Sequence, residues 1–249
     1  MEDRSEIMGI LATVFDIETT GFDDDSIPTE IGFIFGEYND TPCGFQLKPI
    51  VMHSFLINYG CSYPPSEQAK DAEEITGITE YYMKEYGIGL EGCIDYFSSF
   101  IKQSEFVCGH NVLDFDIPFL KKSFPNTFSD TKVLDTLTDI RYAKNQRRSL
   151  DSLAMNYRIL NLFPHRALSD AITTALILEH MQLHVLMEVI NTPIIHIAAQ
   201  VSYDDKDKAK SRGFMWDSKK RLWHKNIRQY YFQEEMEDCK ESGFSIYEV

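Results

Sequence analysis

An apolar, β-branched run over residues 9–15 passes without a break into Asp16-Ile17-Glu18 and reaches turn chemistry only at Thr19-Thr20-Gly21. Such a run reads as a buried strand, and strand side chains alternate between faces, so residues 16 and 18 share one face. Two carboxylates therefore stand side by side at the carboxyl end of a buried strand. Like charges that close resist ionising together, and a divalent cation is the commonest compensation where hard oxygen ligands converge. A strand end in open solvent, with a plain turn behind it, is the competing reading of the same six residues.

The rest of the chain restricts the fold. Strand-like stretches at 30–36 and 51–58 complete an antiparallel meander, with the acidic loop Asp23-Asp24-Asp25 between its first two strands. Helical periodicity covers 66–75, ending at Thr76-Gly77, and returns over 91–102. A buried strand at 106–108, a short helix at 116–122, a strand at 132–137, a helix at 149–157 and a long Ala- and Leu-rich helix from 167 to about 186 follow. This order predicts an α/β fold, a mixed five-stranded sheet flanked by helices, and argues against a sandwich or a bundle. Beyond Pro193 a strand-like stretch at 194–201 opens a different composition. The boundary is expected near Asn191, giving a first domain over 1–190 and a small α+β domain over 191–249.

Charge separates the same two parts. The chain carries a formal charge of −15, yet residues 204–228 hold nine Lys or Arg against four Asp, a local +5 that leaves −20 for the remainder. An acidic body repels polyphosphates at long range, whereas a basic patch that also holds Trp216, Trp223 and His224 attracts them. The five cysteines, Cys43, Cys61, Cys93, Cys108 and Cys239, are dispersed and form no CxxC pair, which fits a reducing, cytoplasmic setting and argues against a structural zinc. The first residues are acidic where a signal peptide is basic, and no apolar run approaches the ~18 residues of a membrane span, so no membrane partner is expected.

Two further stretches bear on the carboxylate pair. His110-Asn111-Val112-Leu113-Asp114-Phe115-Asp116-Ile117-Pro118-Phe119-Leu120 follows a strand end and opens a short helix, where Asp116 is either a cap or a ligand. Pro164-His165-Arg166-Ala167-Leu168-Ser169-Asp170-Ala171 leads into the long helix. Positions five apart on a regular helix diverge by about 140°, so His165 and Asp170 converge only if His165 lies on the preceding loop and bends back.

These three motifs, in this order, resemble the DEDD exonucleases of the ribonuclease H-like fold, in the histidine-base branch of the DNA polymerase III epsilon type. The resemblance covers residues 10–180. It implies that Asp16, Glu18, Asp116 and Asp170 hold two Mg²⁺ or Mn²⁺ ions, about 3.5–4 Å apart, around a scissile phosphate. Asp16 then bridges both ions, Glu18 and Asp170 complete the site of the ion that activates water, and Asp116 supports the second. His165 takes the proton from the attacking water, a task suited to an imidazole that titrates near working pH. The resemblance further implies Thr19, Thr20, Asn111 and Phe115 as substrate-binding positions, with a capped turn the competing reading of Thr19 and Thr20. His110 reads as a residue behind the site or at the strand end, with direct contact to the site as the competing reading.

The sequence departs from the pattern in two places. Three residues separate His110-Asn111 from Phe115-Asp116 where many members have two, which makes Asp114 a rival of Asp116; the framing by Phe115 and Phe119-Leu120 favours Asp116. Ser169 stands where members often carry a second acidic residue. Just upstream, Leu160-Asn161-Leu162-Phe163 faintly resembles a clamp-binding peptide, but reads first as an apolar loop that packs before His165.

The implied activity is release of nucleotides from 3' ends of single-stranded or frayed DNA, with a DNA polymerase or repair complex as possible company. Trimming of RNA 3' ends is the near alternative, and a catalytically silent protein that recognises nucleic-acid ends or a polymerase is the alternative from another class. The C-terminal stretches Lys206-Asp207-Lys208-Ala209-Lys210, Gly213-Phe214-Met215-Trp216-Asp217 and Lys219-Lys220-Arg221-Leu222-Trp223 resemble a small module appended to nucleic-acid enzymes. In that reading Lys219, Lys220, Arg221 and Trp223 contact nucleic acid. The competing reading makes both tryptophans the core of a very small domain.

Overall fold

The computed structural model describes residues 9–23, 25–41, 44–60, 67–142 and 147–249. Asp24, Cys43, Cys61, Ser66 and residues 1–8 lie outside them. The chain divides into two compact units, Met1–Leu183 and His184–Val249. The division falls ahead of Asn191, because the helix that was expected to run from 167 to about 186 is two helices. α6 (Ala167–Leu178) closes with tight bonds from His180 N–H to the Ile177 carbonyl and Met181 N–H to the Leu178 carbonyl, and α7 (Leu183–Ile190) starts afresh. No Gly or Pro marks the break, so periodicity alone runs through it.

In the first unit β1 (Ile10–Thr19), β2 (Pro28–Thr41) and β3 (Gly44–Asn58) form the expected meander, with the second and third strands longer than their apolar segments. Then come α1 (Glu67–Thr76), α2 (Glu80–Tyr86), β4 (Ile88–Gly89), α3 (Leu90–Ile101), β5 (Phe106–Gly109), α4 (Asp116–Ser123), β6 (Lys132–Asp135) and α5 (Leu150–Asn156), followed by α6. The sheet has six strands rather than five, in the order β4-β3-β2-β1-β5-β6. The extra strand is the two-residue β4, pairing parallel with β3 at Ile57 and Asn58, too short to leave a periodicity. Also unforeseen is α2, whose three tyrosines are poor helix formers. Its start is fixed by the Thr79 hydroxyl, which accepts from Tyr82 N–H.

Alternation along β1 divides its side chains between two cores. Phe15 and Ile17 face α3 and α4, where Phe15 meets Phe97 and Phe128 at ring-centroid distances of 5.3 and 5.7 Å. Each fully buried Phe contributes roughly 1.5–3 kcal/mol of burial, so this face anchors the strand. The opposite face carries Asp16 and Glu18 and receives α6. Asp16 lies directly opposite Gly32 in the antiparallel register, and a Cβ at Gly32 would fall inside the backbone of Ala167 and Leu168. The missing side chain lets the first turn of α6 rest on the sheet next to Asp16.

The second unit continues from α7 with β7 (Ile194–Gln200), α8 (Lys206–Ser211), β8 (Met215–Asp217), β9 (Leu222–Arg228), α9 (Phe232–Glu241) and β10 (Ser245–Glu248). Its sheet order is β10-β7-β9-β8 with every neighbour antiparallel, a βαββαβ ferredoxin-like arrangement. Ile195, Ile197, Ala199 and Ile246 pack with Ala209 of α8 and Cys239 of α9, and Trp223 and Met236 lie against this core. Arg212 and Lys225 are internal: both bond Glu235 Oε1, at 3.0 and 2.8 Å, and Arg212 also bonds Asp238. Arg228 is buried as well, giving a hydrogen bond to the Thr192 carbonyl. Three of the nine basic residues counted in the patch are therefore tied into the unit's own fold, Arg228 buried and Arg212 and Lys225 partly so. No helix among the described residues is long and apolar enough to cross a membrane.

Candidate active site

Carboxylate oxygens of Asp16, Glu18 and Asp170 lie within 4.8 Å of one another. β1 supplies the first two by its two-residue repeat, and α6 supplies the third one turn in from the end that Gly32 admits. Asp116, the first residue of α4, joins them. Its Oδ1 accepts the Ile17 backbone N–H at 2.8 Å, beyond the point where the β1–β5 pairing stops at Val14 and Cys108. The fourth carboxylate is thereby bonded to the strand that bears the first two. Asp116 is buried, whereas Asp114 is exposed.

Electrostatics set this cluster apart from an ordinary strand end. Burial, and then the charges of Asp116, Glu18, Asp170 and Glu30, hold Asp16 well above the usual carboxylate range. Glu18 is pushed up to about 8 by burial and by Asp170, Glu30 and Asp116, with Arg166 opposing. Burial brings Asp116 to about 7 against the Ile17 N–H, and Asp170 is raised by burial against the Asn161 amide and the His165 N–H. A hard divalent cation draws oxygens to about 2.1 Å, hence within about 4.2 Å of one another, so the observed spacing needs only a small closure to hold one. The residues fit a divalent ion.

His165 sits on the loop ahead of α6 in the left-handed region, φ 61°, and its backbone N–H reaches Asp170 Oδ2 at 3.1 Å. His110 bonds the Thr136 hydroxyl at 2.8 Å, and burial lowers it to about 4. Thr19 and Thr20 spend their hydroxyls on the loop itself: Thr19 donates to the Gly21 carbonyl and Thr20 accepts from Ile27 N–H. Phe115 packs its ring on Phe119 and on the exposed Phe22, at 4.8 and 5.5 Å. Asn111, at φ 67°, is tied through its N–H to Asp135.

Four residues without an assigned role build the site. Glu30, opposite Glu18 across the β1–β2 pairing, receives two hydrogen bonds from Arg166 and one from Ala167 N–H. Asn161 donates to Asp170 at 2.6 Å and accepts from Ser169 at 2.7 Å. The buried Asp135 accepts from Asn111, Leu113 and Leu137 N–H, and so shapes the loop that delivers Asp116. Gly32 clears the space for α6. A carboxylate closing the apolar strand at 132–137 was the one available signal, for Asp135, and it repeats the pattern of Asp16. The segment holding Asn161 does not pack as an apolar loop: Leu160, Leu162 and Phe163 are 66–77% exposed, because Asn161 and Ser169 hold the loop by polar bonds.

Comparison with known proteins adds a family. A family model described as exonuclease matches residues 13–178, and a domain of unknown function matches residues 196–237. A 3'-5' exonuclease, DinG, from Staphylococcus haemolyticus is 34% identical over 172 residues, covering 66% of this chain and 17% of that protein. Escherichia coli exonuclease I in complex with a dT13 oligonucleotide superimposes with a TM-score of 0.55 at 19% identity, over 78% of this chain and 48% of that one. Its zinc-bound complex with single-stranded DNA gives 0.57 at 18% identity, over 82% and 50%. These likenesses to solved structures are likenesses of fold. The chain spans about half the length of those structures and a sixth of the curated relative.

Proposed function

We propose that this chain, which belongs to the exonuclease family, is a metal-dependent 3'→5' exonuclease that releases nucleotides from single-stranded or frayed DNA ends. The observation that carries the reading is the convergence of Asp16, Glu18 and Asp170 with Asp116 bonded to the same strand. A silent end-binding protein has no use for four crowded carboxylates, Asp116 and Asp170 buried and Asp16 and Glu18 partly so, that resist ionisation. DNA is the substrate of choice because the similar exonuclease I structures hold DNA oligonucleotides.

In this reading Asp16, Glu18, Asp116 and Asp170 hold two Mg²⁺ or Mn²⁺ ions. When bound, the ions lower the pKa of a water and neutralise charge on the scissile phosphate and the leaving 3'-oxygen. The chain's own residues do the rest. Asn161 and the His165 N–H fix both oxygens of Asp170, so that it presents one orientation. His165, placed by its loop beside Asp170, accepts the proton of the attacking water. Phe115 and Phe22 offer ring faces on which a terminal base stacks. Thr19 and Thr20, next to Glu18 in the chain, would offer backbone groups to the 3'-terminal nucleotide. Buried thiols at Cys93 and Cys108 fit a reducing compartment, the cytoplasm, and a polymerase or repair complex is the partner that presents such ends.

The test is digestion of single-stranded DNA, duplex DNA and RNA oligonucleotides of matched sequence, each labelled at either end, with Mg²⁺ or Mn²⁺. Mononucleotides should leave from the DNA 3' end only when metal is present, and Asp16→Ala should abolish this. Faster loss from RNA transfers the reading to RNA trimming. No release from any end with either ion would overturn it.

A further inference from the structure

In the sheet of the second unit one face packs on α8 and α9; the other, the open face, exposes Met215 and Tyr247 on its outer strands and buries Ala198 and Arg228. Trp223, Lys225 and Ile227 of β9 and Ile195, Ile197 and Ala199 of β7 turn towards α8 and α9, and Trp216 follows Trp223 across the β8–β9 pairing. Trp223 thus belongs to the side that folds the module. Alternation puts the intervening residues on the other side. There the pairing aligns one row across all four strands: Tyr247 of β10 opposite Ala198, Ala198 opposite His224, and His224 opposite Met215. In the adjacent row His196 pairs with Asn226, and its ring lies 4.8 Å from that of His224.

We propose that this open face binds a single-stranded polynucleotide, with bases laid on the rings of His196, His224 and Tyr247. Three observations select this occupant. Met215 and Tyr247 are 63% and 47% exposed, so apolar surface is available for stacking. Next, the strand residues of the face include one carboxylate, Asp217, whose Oδ1 accepts the Lys219 and Lys220 N–H groups of its own hairpin. In a chain of −15 a surface with a single acid, bordered by the exposed Lys219, Lys220 and Arg221, complements a polyanion. Finally, a four-stranded sheet with rings on its central strands is a geometry that stacks two or three unpaired bases, whereas a duplex keeps its base faces to itself. The choice of nucleic acid rests on the exonuclease reading of the first unit; the location of the surface does not.

The experiment uses the full chain carrying Asp16→Asn, without added metal, so that the probe survives. Fluorescence anisotropy with 20-residue oligothymidylate and oligouridylate measures affinity against salt. His224→Ala/Tyr247→Ala should weaken binding about tenfold or more, the effect of losing stacking under one or two bases. Lys219→Glu/Lys220→Glu should lower the salt slope by about 1.4, while Trp216→Ala, half exposed but on the opposite face by register, should bind as the parent does. Tighter binding of either oligonucleotide identifies the sugar and supports the surface. Parent-like affinity of both multiple variants for both probes overturns it. Hydrolysis of a thymidine dinucleotide by the unaltered chain reports on the exonuclease separately, so either idea can fail alone.

Discussion

Arg166 grips Glu30 through two parallel hydrogen bonds, Nε to Oε2 at 3.0 Å and Nη2 to Oε1 at 2.8 Å, and the Ala167 N–H adds a third. Glu30 stands opposite Glu18, so this fork places a guanidinium at the edge of the carboxylate cluster and fixes the residue next to His165. Removing Arg166 strands a buried carboxylate among others. Arg166→Ala should cost about 2–3 kcal/mol of stability, less than the 3–5 of a fully enclosed pair because the arginine is 45% exposed. Arg166→Lys, lacking the fork, should recover only part. Urea unfolding at pH 7 measures both, and a loss below about 0.5 kcal/mol for the alanine variant would contradict this role.

Asp16→Asn and Glu18→Gln should each lower kcat by more than about 10³-fold, some 4 kcal/mol of barrier, and yet raise the melting temperature of the metal-free protein. The same crowded like charges that attract cations destabilise the fold without them. Asp116→Asn should behave similarly, and Asp114→Asn, at an exposed position, should keep near-normal activity. Equal losses at positions 114 and 116 would reopen the assignment of the fourth carboxylate.

Asn161→Ala removes the 2.6 Å bond that orients Asp170. Outer partners of metal ligands typically account for 10–100-fold in affinity or activity, so Mn²⁺ titration calorimetry should show a Kd weaker by about that factor. An unchanged Kd would show that Asp170 is held by the His165 N–H alone.

Gly32→Ala places a methyl group in the backbone of α6. With no flexible side chain to yield, the helix must move off the sheet, costing roughly 3 kcal/mol or more and separating Asp170 from Asp16. Circular dichroism melts and Mn²⁺ binding should fall together; a variant with parental stability would contradict the close approach.

Stability of the metal-free protein should decline as pH rises from about 5 to 8. Glu18 titrates near 8 when folded and near 4.5 when unfolded, so in this window the unfolded chain binds fewer protons and base favours unfolding. Below about 4.5 both states hold the proton and the penalty vanishes. Mg²⁺ or Mn²⁺ should therefore raise the melting temperature more at pH 8 than at pH 6, and Glu18→Gln should flatten the profile. Thermal melts across this range, with and without metal, are the measurement.

Local order carried far in the amino-acid sequence. The strand ending in Asp16-Ile17-Glu18, the meander behind it and the alternation that follows are patterns of nearest neighbours, and periods of two and of about 3.6 are readable one segment at a time. The loop before Asp170 was legible in part, since positions five apart diverge on a helix and His165 could meet Asp170 only from a preceding loop, which Pro164 allows. What escaped was either very short, like β4, or unpunctuated, like the break between α6 and α7. Tertiary structure alone decided which side chains hold the four carboxylates: Glu30 meets Arg166 across 136 residues and Ile17 meets Asp116 across 99. It also decided that Trp223 faces the interior of the second unit while His224 faces outward. Those choices depend on register and on which face a helix covers, and a chain pattern cannot specify a face until its partner is in place.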